Sequence, residues 1–259
     1  MDRTTSVNPK TAFLLDKLFE KYHTLDFIAD DPICIPHEYT QKQDIEITGL
    51  FAALLAWGQR KTIIQKCKDL FTRMDNAPYD FILNHTEKDY DALLGFKHRT
   101  FNEVDVVHLV AQLQKVYQKY NSLEPLFEVQ NSEENTYAGL VRFHSFMLEN
   151  ASSRTRKHIS TPAKNSACKR INMFLRWMVR QNSPVDFGIW TNIKPSQLVC
   201  PLDVHVHRAA VQLQLIDENE KPSWKTAVKL TELLKTLSAD DPVKYDFALF
   251  GWSKYHTIE

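Results

Sequence analysis

The sequence predicts an all-α protein. Apolar residues recur three and four positions apart along several segments, as they do on one face of a helix. No segment of any length alternates apolar and polar residues in the way a half-buried strand does. The 259 residues are 43% hydrophobic and include 6 glycines, a composition typical of a globular chain rather than a disordered one. We therefore expect one helical domain or two closely packed subdomains.

The first half of the chain carries four clear helical patterns. Residues 10–22 form an amphipathic pattern, and residues 44–57 are apolar nearly all round after Ile47, which indicates a helix buried on every side. Gly58 ends that helix, and the basic loop 58–61 leads into a further helix. The pattern of residues 103–120 predicts a long amphipathic helix, in which His108 is interpreted as a packing residue.

The second half continues the helical pattern. A basic helix is predicted from Ala167 to Arg180, followed by an irregular, proline-rich connection over 183–201. Further amphipathic helices follow Asp203 and close the chain, the last of them beginning near Pro242 after an aspartate cap.

Several functional classes are excluded by composition. The cysteines at 34, 67, 168 and 200 form no CxxC pair, which argues against a zinc site, and no cysteine follows Cys200 to complete an iron–sulfur site. No cofactor or metal is expected. No apolar run reaches the roughly 20 residues that span a bilayer, and the first ten residues lack the apolar core of a signal peptide. These features predict a cytoplasmic protein with no membrane partner.

Charge is distributed unevenly along a chain whose net charge is zero. The segment 151–185 contains eight basic residues and no acidic one, which on a neutral chain indicates a surface for a polyanion. The alternative is a basic face balanced by acids that fold against it from elsewhere. The eight residues are Arg154, Arg156, Lys157, Lys164, Lys169, Arg170, Arg176 and Arg180.

The basic helix has two faces. One face collects its core residues, and a second stripe runs from Lys169 through Met173 to Arg176 and Arg180. Three cations on one line repel each other unless an anion lies along it. A solvent-exposed face with extended side chains is the competing interpretation.

Asp203 is the second residue of interest, 34 positions after Lys169. It precedes the amphipathic run VHVHRAAVQLQL, so it is predicted to cap that helix by accepting hydrogen bonds from free backbone amides. His205 and His207 lie on different helix faces and cannot form a paired metal site. A lysine and a carboxylate at these two positions could meet across a cleft.

The string PLDVHVHR at 201–208, preceded by a basic helix with a lysine, resembles the helix-hairpin-helix/GPD superfamily of DNA glycosylases. The resemblance is strongest to the archaeal 8-oxoguanine glycosylase branch, and it extends over roughly residues 44–71 and 164–255. It implies two helical subdomains with the active cleft between them. Residues 44–198 would form a barrel-like subdomain, and residues 1–43 would join 199–259 in the second.

The resemblance implies a base-excision DNA glycosylase, an enzyme with AP-lyase activity that acts as a monomer on a flipped base in damaged duplex DNA. Lys169 would be the nucleophile, with Lys164 the alternative lysine, and Asp203 would stabilise the transition state or accept the proton from the lysine. Gln59 would enter the base stack beside the extruded nucleotide. The alternative is a non-catalytic DNA-binding relative of the same fold. Either role predicts association with the nucleoid.

The sequence departs from the family at the hairpin itself. The family's Gly-x-Gly pair, whose amides bind a phosphate, is replaced by the glycine-free stretch TPAKNSA at 161–167. Phosphate binding there would depend on side chains and on the start of the basic helix. The complete set of expected DNA-binding residues is Gln59, Arg60, Lys61, Lys164, Asn165, Ser166, Arg170, Arg176 and Arg180.

Overall fold

A computed structural model describes residues 6–130 and 132–255. The prediction that the first ten residues are not a signal peptide therefore lies partly outside the described residues. The regular structure of the protein is predominantly helical, which confirms the all-α prediction. The described residues contain one short antiparallel hairpin, in which β1 (Lys97–His98) pairs with β2 (Phe101–Asn102). Its register places Lys97 opposite Asn102 and His98 opposite Phe101. This hairpin was not predicted from the sequence.

Twelve α-helices are present in the part of the chain that the structure describes. They are α1 (Pro9–Tyr22), α2 (Asp26–Ala29), α3 (Lys42–Leu55), α4 (Arg60–Thr72), α5 (Pro78–Asn84), α6 (Glu103–Lys119), α7 (Tyr137–Met147), α8 (Ser153–Arg156), α9 (Lys169–Val179), α10 (Val204–Gln212), α11 (Trp224–Lys235) and α12 (Asp246–Tyr255). Short 3-10 helices lie in the connections, including Pro162–Lys164 and Pro242–Tyr245. The predicted closing helix therefore starts with a 3-10 turn and becomes α-helical at Asp246.

The chain divides into two compact units. The first comprises Met1–Phe27, Val129–Ala138 and Thr161–Glu259, and the second comprises Ile28–Glu128 and Gly139–Ser160. This division differs from the expected boundary at residue 198, because residues 161–198 belong with 199–259. Lys169 and Asp203 consequently lie in the same unit and not on two different subdomains.

The second unit is built around α3. From Ile45 to Leu55 every residue of this helix is buried, as its apolar pattern predicted. Glu46 is buried with them, and its carboxylate accepts hydrogen bonds from Tyr117 Oη, Ser122 Oγ and the Leu123 amide. Because each carboxylate oxygen has a donor, this buried acid is compatible with a helix that has no exposed face.

The first unit packs α1 and α10 against α12. The contact with α1 requires Gly251, because a β-carbon there would lie 2.0 Å from Tyr22 Cδ2. In α9, residues Ile171 to Val179 are all buried. The irregular connection after α9 covers its last turn, where the Trp177 and Met178 carbonyls accept hydrogen bonds from the amides of Phe187 and Trp190. From Ile171 to Val179 the basic helix is thus enclosed and presents no face to solvent.

Within the described ranges, no helix combines the length and the apolar composition needed to cross a bilayer.

Candidate active site

Helices α9 and α10 bring Lys169 and Asp203 together. Asp203 is the N-cap of α10, and its Oδ1 accepts hydrogen bonds from the backbone amides of His205 and Val206, both at 2.9 Å. The other oxygen, Oδ2, lies 3.7 Å from Lys169 Nζ. The predicted cap is confirmed, and the lysine and the carboxylate do meet.

Lys169 is the first residue of α9. Its amine also lies 3.4 Å from the thioether sulfur of Met173, one turn further along the helix. The Lys169 side chain is 27% exposed and that of Asp203 is 25% exposed. Both groups are therefore partly accessible from solvent.

The two arginines of the same helix have a different role. Arg176 and Arg180 are each 3% exposed. Arg176 pairs with Asp186 and Asp246, and Arg180 pairs with Asp186 at 2.5 Å and Asp241 at 2.9 Å. The prediction that these arginines bind DNA is therefore wrong, because both are buried and their charges are already paired with the carboxylates of Asp186, Asp241 and Asp246.

Asp246 adds a further carboxylate to the surroundings of the pair. Burial raises the pKa of Asp246 to about 6, with Arg176 and Lys169 opposing the rise and Asp203 contributing to it. Asp246 therefore lies within electrostatic range of both members of the Lys169 and Asp203 pair. Asp246 was not among the predicted site residues, although an aspartate at the head of the apolar run DFALFGW was an available signal.

Cys200 lies in the same region but is not a candidate nucleophile. It is completely buried, and burial raises the pKa of its thiol well above the ordinary value. The reactive form of cysteine is the thiolate, so this thiol is inert. No group of three His, Cys, Asp or Glu side chains suited to a metal ion occurs among residues 6–130 and 132–255.

The glycine-free segment before α9 forms a defined turn. Asn165 and Cys168 both adopt the left-handed conformation, with φ of 56° and 49°. Asn165 is held by α11, because its carbonyl accepts the Trp224 amide and its Oδ1 accepts the Lys225 amide. Two residues other than glycine thus adopt a conformation that glycine accepts most readily.

DNA binding by the other predicted residues of the first unit stays a prediction. Lys164 and Asn165 are exposed, and Ser166 Oγ accepts the Cys168 amide at 3.3 Å. Arg170 is largely enclosed, and its burial lowers its pKa. Of the two candidate lysines, Lys169 is the one within ion-pair distance of Asp203 in the described structure.

The basic loop 58–61 lies in the second unit. Gln59 is exposed and occupies the N-cap position of α4, but its side chain makes no capping hydrogen bond. Arg60 and Lys61 line a surface cavity of about 520 Å³, which Lys68 and Gln65 also line. Asp30 lines the cavity as well, and Lys68 pairs with Glu38 at 2.7 Å, so acids partly balance its cations and anion binding by the loop stays a prediction.

These features define an all-α protein with an accessible lysine and carboxylate pair in one unit and a basic loop in the other. The chain belongs to the family described as "Protein of unknown function (DUF2400)", which matches residues 31–254. The match extends into both units. No curated protein and no solved structure matches the chain.

Proposed function

We propose that this protein is a DNA base-excision glycosylase with AP-lyase activity, which acts on a damaged nucleotide flipped out of the duplex. The observation that carries the proposal is the 3.7 Å approach of Lys169 Nζ to Asp203 Oδ2, at a position open to solvent. An amine beside a carboxylate is the combination that a Schiff-base glycosylase uses. The resemblance of PLDVHVHR to the glycosylase superfamily supports the same assignment.

The pair is better suited to chemistry than to stability. Ion pairs at partly exposed positions stabilise a fold by about 0–1 kcal/mol. The stronger ionic contacts of this unit are the buried ones made by Arg176 and Arg180. A functional role explains why Lys169 lies beside Asp203, although Asp203 already accepts the hydrogen bonds that cap α10.

The reaction begins when the target nucleotide leaves the stack, because its glycosidic bond cannot be reached inside a duplex. An ammonium group is not a nucleophile, so Lys169 must first release a proton to solvent, which leaves Asp203 ionised beside the neutral amine. The neutral amine then attacks C1′ of the deoxyribose. The bond from C1′ to the base breaks, and its electron pair leaves with the base.

Asp203 would serve the reaction in two ways. Its negative charge stabilises the oxocarbenium-like transition state as positive charge develops at C1′. As the new C–N bond forms, Asp203 can also accept the one proton that the attacking amine then loses and pass it to the departing base. Opening of the sugar ring gives a Schiff base, and β-elimination of the 3′ phosphate then nicks the strand.

Reductive trapping tests the proposal. Sodium borohydride reduces the Schiff base to a stable amine, so wild-type protein should become covalently attached to a duplex that contains the correct lesion. Duplexes with oxidised, alkylated and deaminated bases, together with an abasic duplex, form the panel. Lys169→Ala should abolish the adduct, whereas Lys164→Ala should retain it.

The other outcomes identify the alternatives. Release of the base without an adduct would mean that Asp203 acts with water and that Lys169 is not the nucleophile. Salt-dependent DNA binding without any product, unchanged in Asp203→Asn, would instead identify a non-catalytic DNA-binding protein.

A further inference from the structure

The β-hairpin of the second unit packs directly on the basic loop 58–61. Gly58 has a φ of 110°, and a β-carbon built on it would lie 3.0 Å from Arg99 Nη1 and 3.6 Å from Arg99 Cδ. The Arg99 side chain therefore lies across the backbone of Gly58, immediately before Gln59. The hairpin and the loop form one continuous surface within this unit.

Aromatic contacts hold the loop and the hairpin together. The Trp57 carbonyl accepts a hydrogen bond from His98 Nε2 at 3.2 Å, and the two rings make an edge contact at 5.1 Å. On its other side Trp57 stacks on His158, with ring centroids 5.8 Å apart. The loop is thus fixed at Trp57 before its basic residues begin.

A buried carboxylate fixes the other side of the hairpin. Asp105 is fully buried and accepts hydrogen bonds from the Asn102 amide and the Thr155 hydroxyl. It also lies 3.2 Å from Arg154 Nη2, and the same nitrogen donates to the Thr100 carbonyl at 2.7 Å. The hairpin tip is therefore attached to α8 as well as to the loop.

Arg99 occupies a backbone position that favours other residues. Arg99 and Thr100 are the two loop residues of the hairpin, and Arg99 has a φ of 54°. Glycine and asparagine adopt this conformation at lower cost, and they predominate in two-residue hairpin loops. An arginine held in a disfavoured conformation indicates that its side chain is needed there.

The exposed charges that the hairpin and the loop themselves carry are positive, and Asp30 lines the adjoining cavity beside Arg60 and Lys61. Lys61, Lys97 and Arg99 are exposed, and neither 57–61 nor 95–102 contains an acidic residue. The guanidinium group of arginine matches the geometry of a phosphate through paired N–H donors. Because the backbone around Arg99 is held from two sides, less conformational entropy is lost when a ligand binds.

We propose that Arg99 binds a phosphate of the nucleic-acid strand beside Gln59, so that the hairpin 97–102 and the loop 57–61 act as a single DNA-binding edge. This inference rests on the proposed function for the identity of the polyanion. It adds a contact point that the sequence analysis did not anticipate.

The test compares two single-charge removals in the same unit. Arg99→Asn removes the cation while keeping a residue that tolerates positive φ. Lys88→Asn removes an exposed cation from the 3-10 helix Glu87–Leu93 and serves as the matched control. Affinity for a duplex with a tetrahydrofuran abasic-site analogue is measured by fluorescence anisotropy at several salt concentrations.

Arg99→Asn should weaken binding about tenfold, the effect of losing one charge-assisted contact. It should also reduce the slope of log K against log salt by about 1, because one phosphate contact is lost. Lys88→Asn should change neither quantity, and circular dichroism of both variants should match wild type. Wild-type affinity and an unchanged slope in Arg99→Asn would overturn the inference, since Arg99 would then serve merely to cover Gly58.

Borohydride trapping of the same proteins separates this inference from the proposed enzyme. A wild-type adduct together with an unaltered Arg99→Asn salt slope removes the DNA-binding edge and leaves the enzyme. A weakened Arg99→Asn variant, together with neither a wild-type adduct nor base release on any lesion, supports the edge and removes the enzyme. A wild type that binds no DNA at all overturns both.

Discussion

Asp203 presents its two carboxylate oxygens to different partners, and Lys169 faces the one that does not cap the helix. Oδ1 accepts the amides of His205 and Val206, and Oδ2 lies 3.7 Å from Lys169 Nζ. The cap needs an oxygen at this position, whereas the interaction with lysine needs a negative charge. The two requirements can therefore be separated by substitution.

Asp203→Asn should retain the fold and lose the activity. Asparagine caps helices about as well as aspartate, so the melting temperature should change little. Base release should fall by at least about a hundredfold, because the charge that stabilises the transition state is gone. Asp203→Ala should also lose about 1 kcal/mol of stability, because both amides lose their acceptor. Thermal denaturation and single-turnover kinetics measure the two effects, and equal stability of the two variants would contradict the capping role.

Lys169 should contribute little to stability. Its ion pair with Asp203 is partly exposed, so a double-mutant cycle between Lys169→Met and Asp203→Asn should give a coupling energy below about 1 kcal/mol. The cycle is measured by urea denaturation at neutral pH. A coupling of several kcal/mol would show that the pair is primarily structural and would weaken the case for catalysis.

Arg176 should behave as a structural residue. Arg176→Ala leaves the buried carboxylates of Asp186 and Asp246 without this partner, and breaking such buried pairs costs about 3–5 kcal/mol. Urea denaturation should therefore show a large loss of stability. Arg208→Ala, which removes an exposed arginine of α10, should change stability by less than about 0.5 kcal/mol. Similar stabilities for the two variants would restore Arg176 as a surface residue.

His23 should make the protein sensitive to acid. It stacks on Phe19 and bonds to Ser183 Oγ at 2.8 Å, and burial, aided by Arg180, lowers the pKa of His23 to about 4. Since the folded pKa lies below the unfolded value of about 6.5, its contribution to stability is complete above pH 6.5 and is lost as the pH falls through 4. His23→Gln should reduce the loss of stability between pH 6.5 and 4, measured as urea midpoints.

Asp246 provides a control with the opposite sign. Its pKa is raised to about 6, so its contribution is complete below the unfolded value of about 3.8 and is lost as the pH rises through 6. Protonation of Asp246 thus adds stability as the pH falls and partly offsets the stability lost through His23. In Asp246→Asn this added stability is absent, so the free energy of unfolding should fall more steeply with decreasing pH than in wild type. An identical pH dependence in both variants would contradict the assignment of these groups.

The sequence predicted the parts of the structure that depend on local patterns. The burial of α3 followed from its uninterrupted apolar run, and the cap at Asp203 followed from a carboxylate before an amphipathic segment. The approach of Lys169 to Asp203 came from the family resemblance. Hairpin 97–102 was missed because two-residue strands are too short to show an alternating pattern.

The roles of the arginines could not be read from local charge. The acid-free stretch ends at Val185, and the next residue, Asp186, pairs with both Arg176 and Arg180. The other partners, Asp241 and Asp246, lie 61 and 70 positions away. Charge along a sequence does not reveal which acids fold against it, and here the balanced basic face was the correct interpretation for these two residues.

The glycine-free turn before α9 has a consequence for the order of folding. A glycine turn takes its shape locally, whereas this one is also held by Asn165, whose Oδ1 accepts the Lys225 amide, 60 residues away in the sequence. Closing a loop of that length lowers the entropy of the chain before the hydrogen bond contributes any stabilisation. We therefore expect the turn to acquire its final shape late, after α11 has docked, so that the segment leading into Lys169 is completed among the last steps of folding.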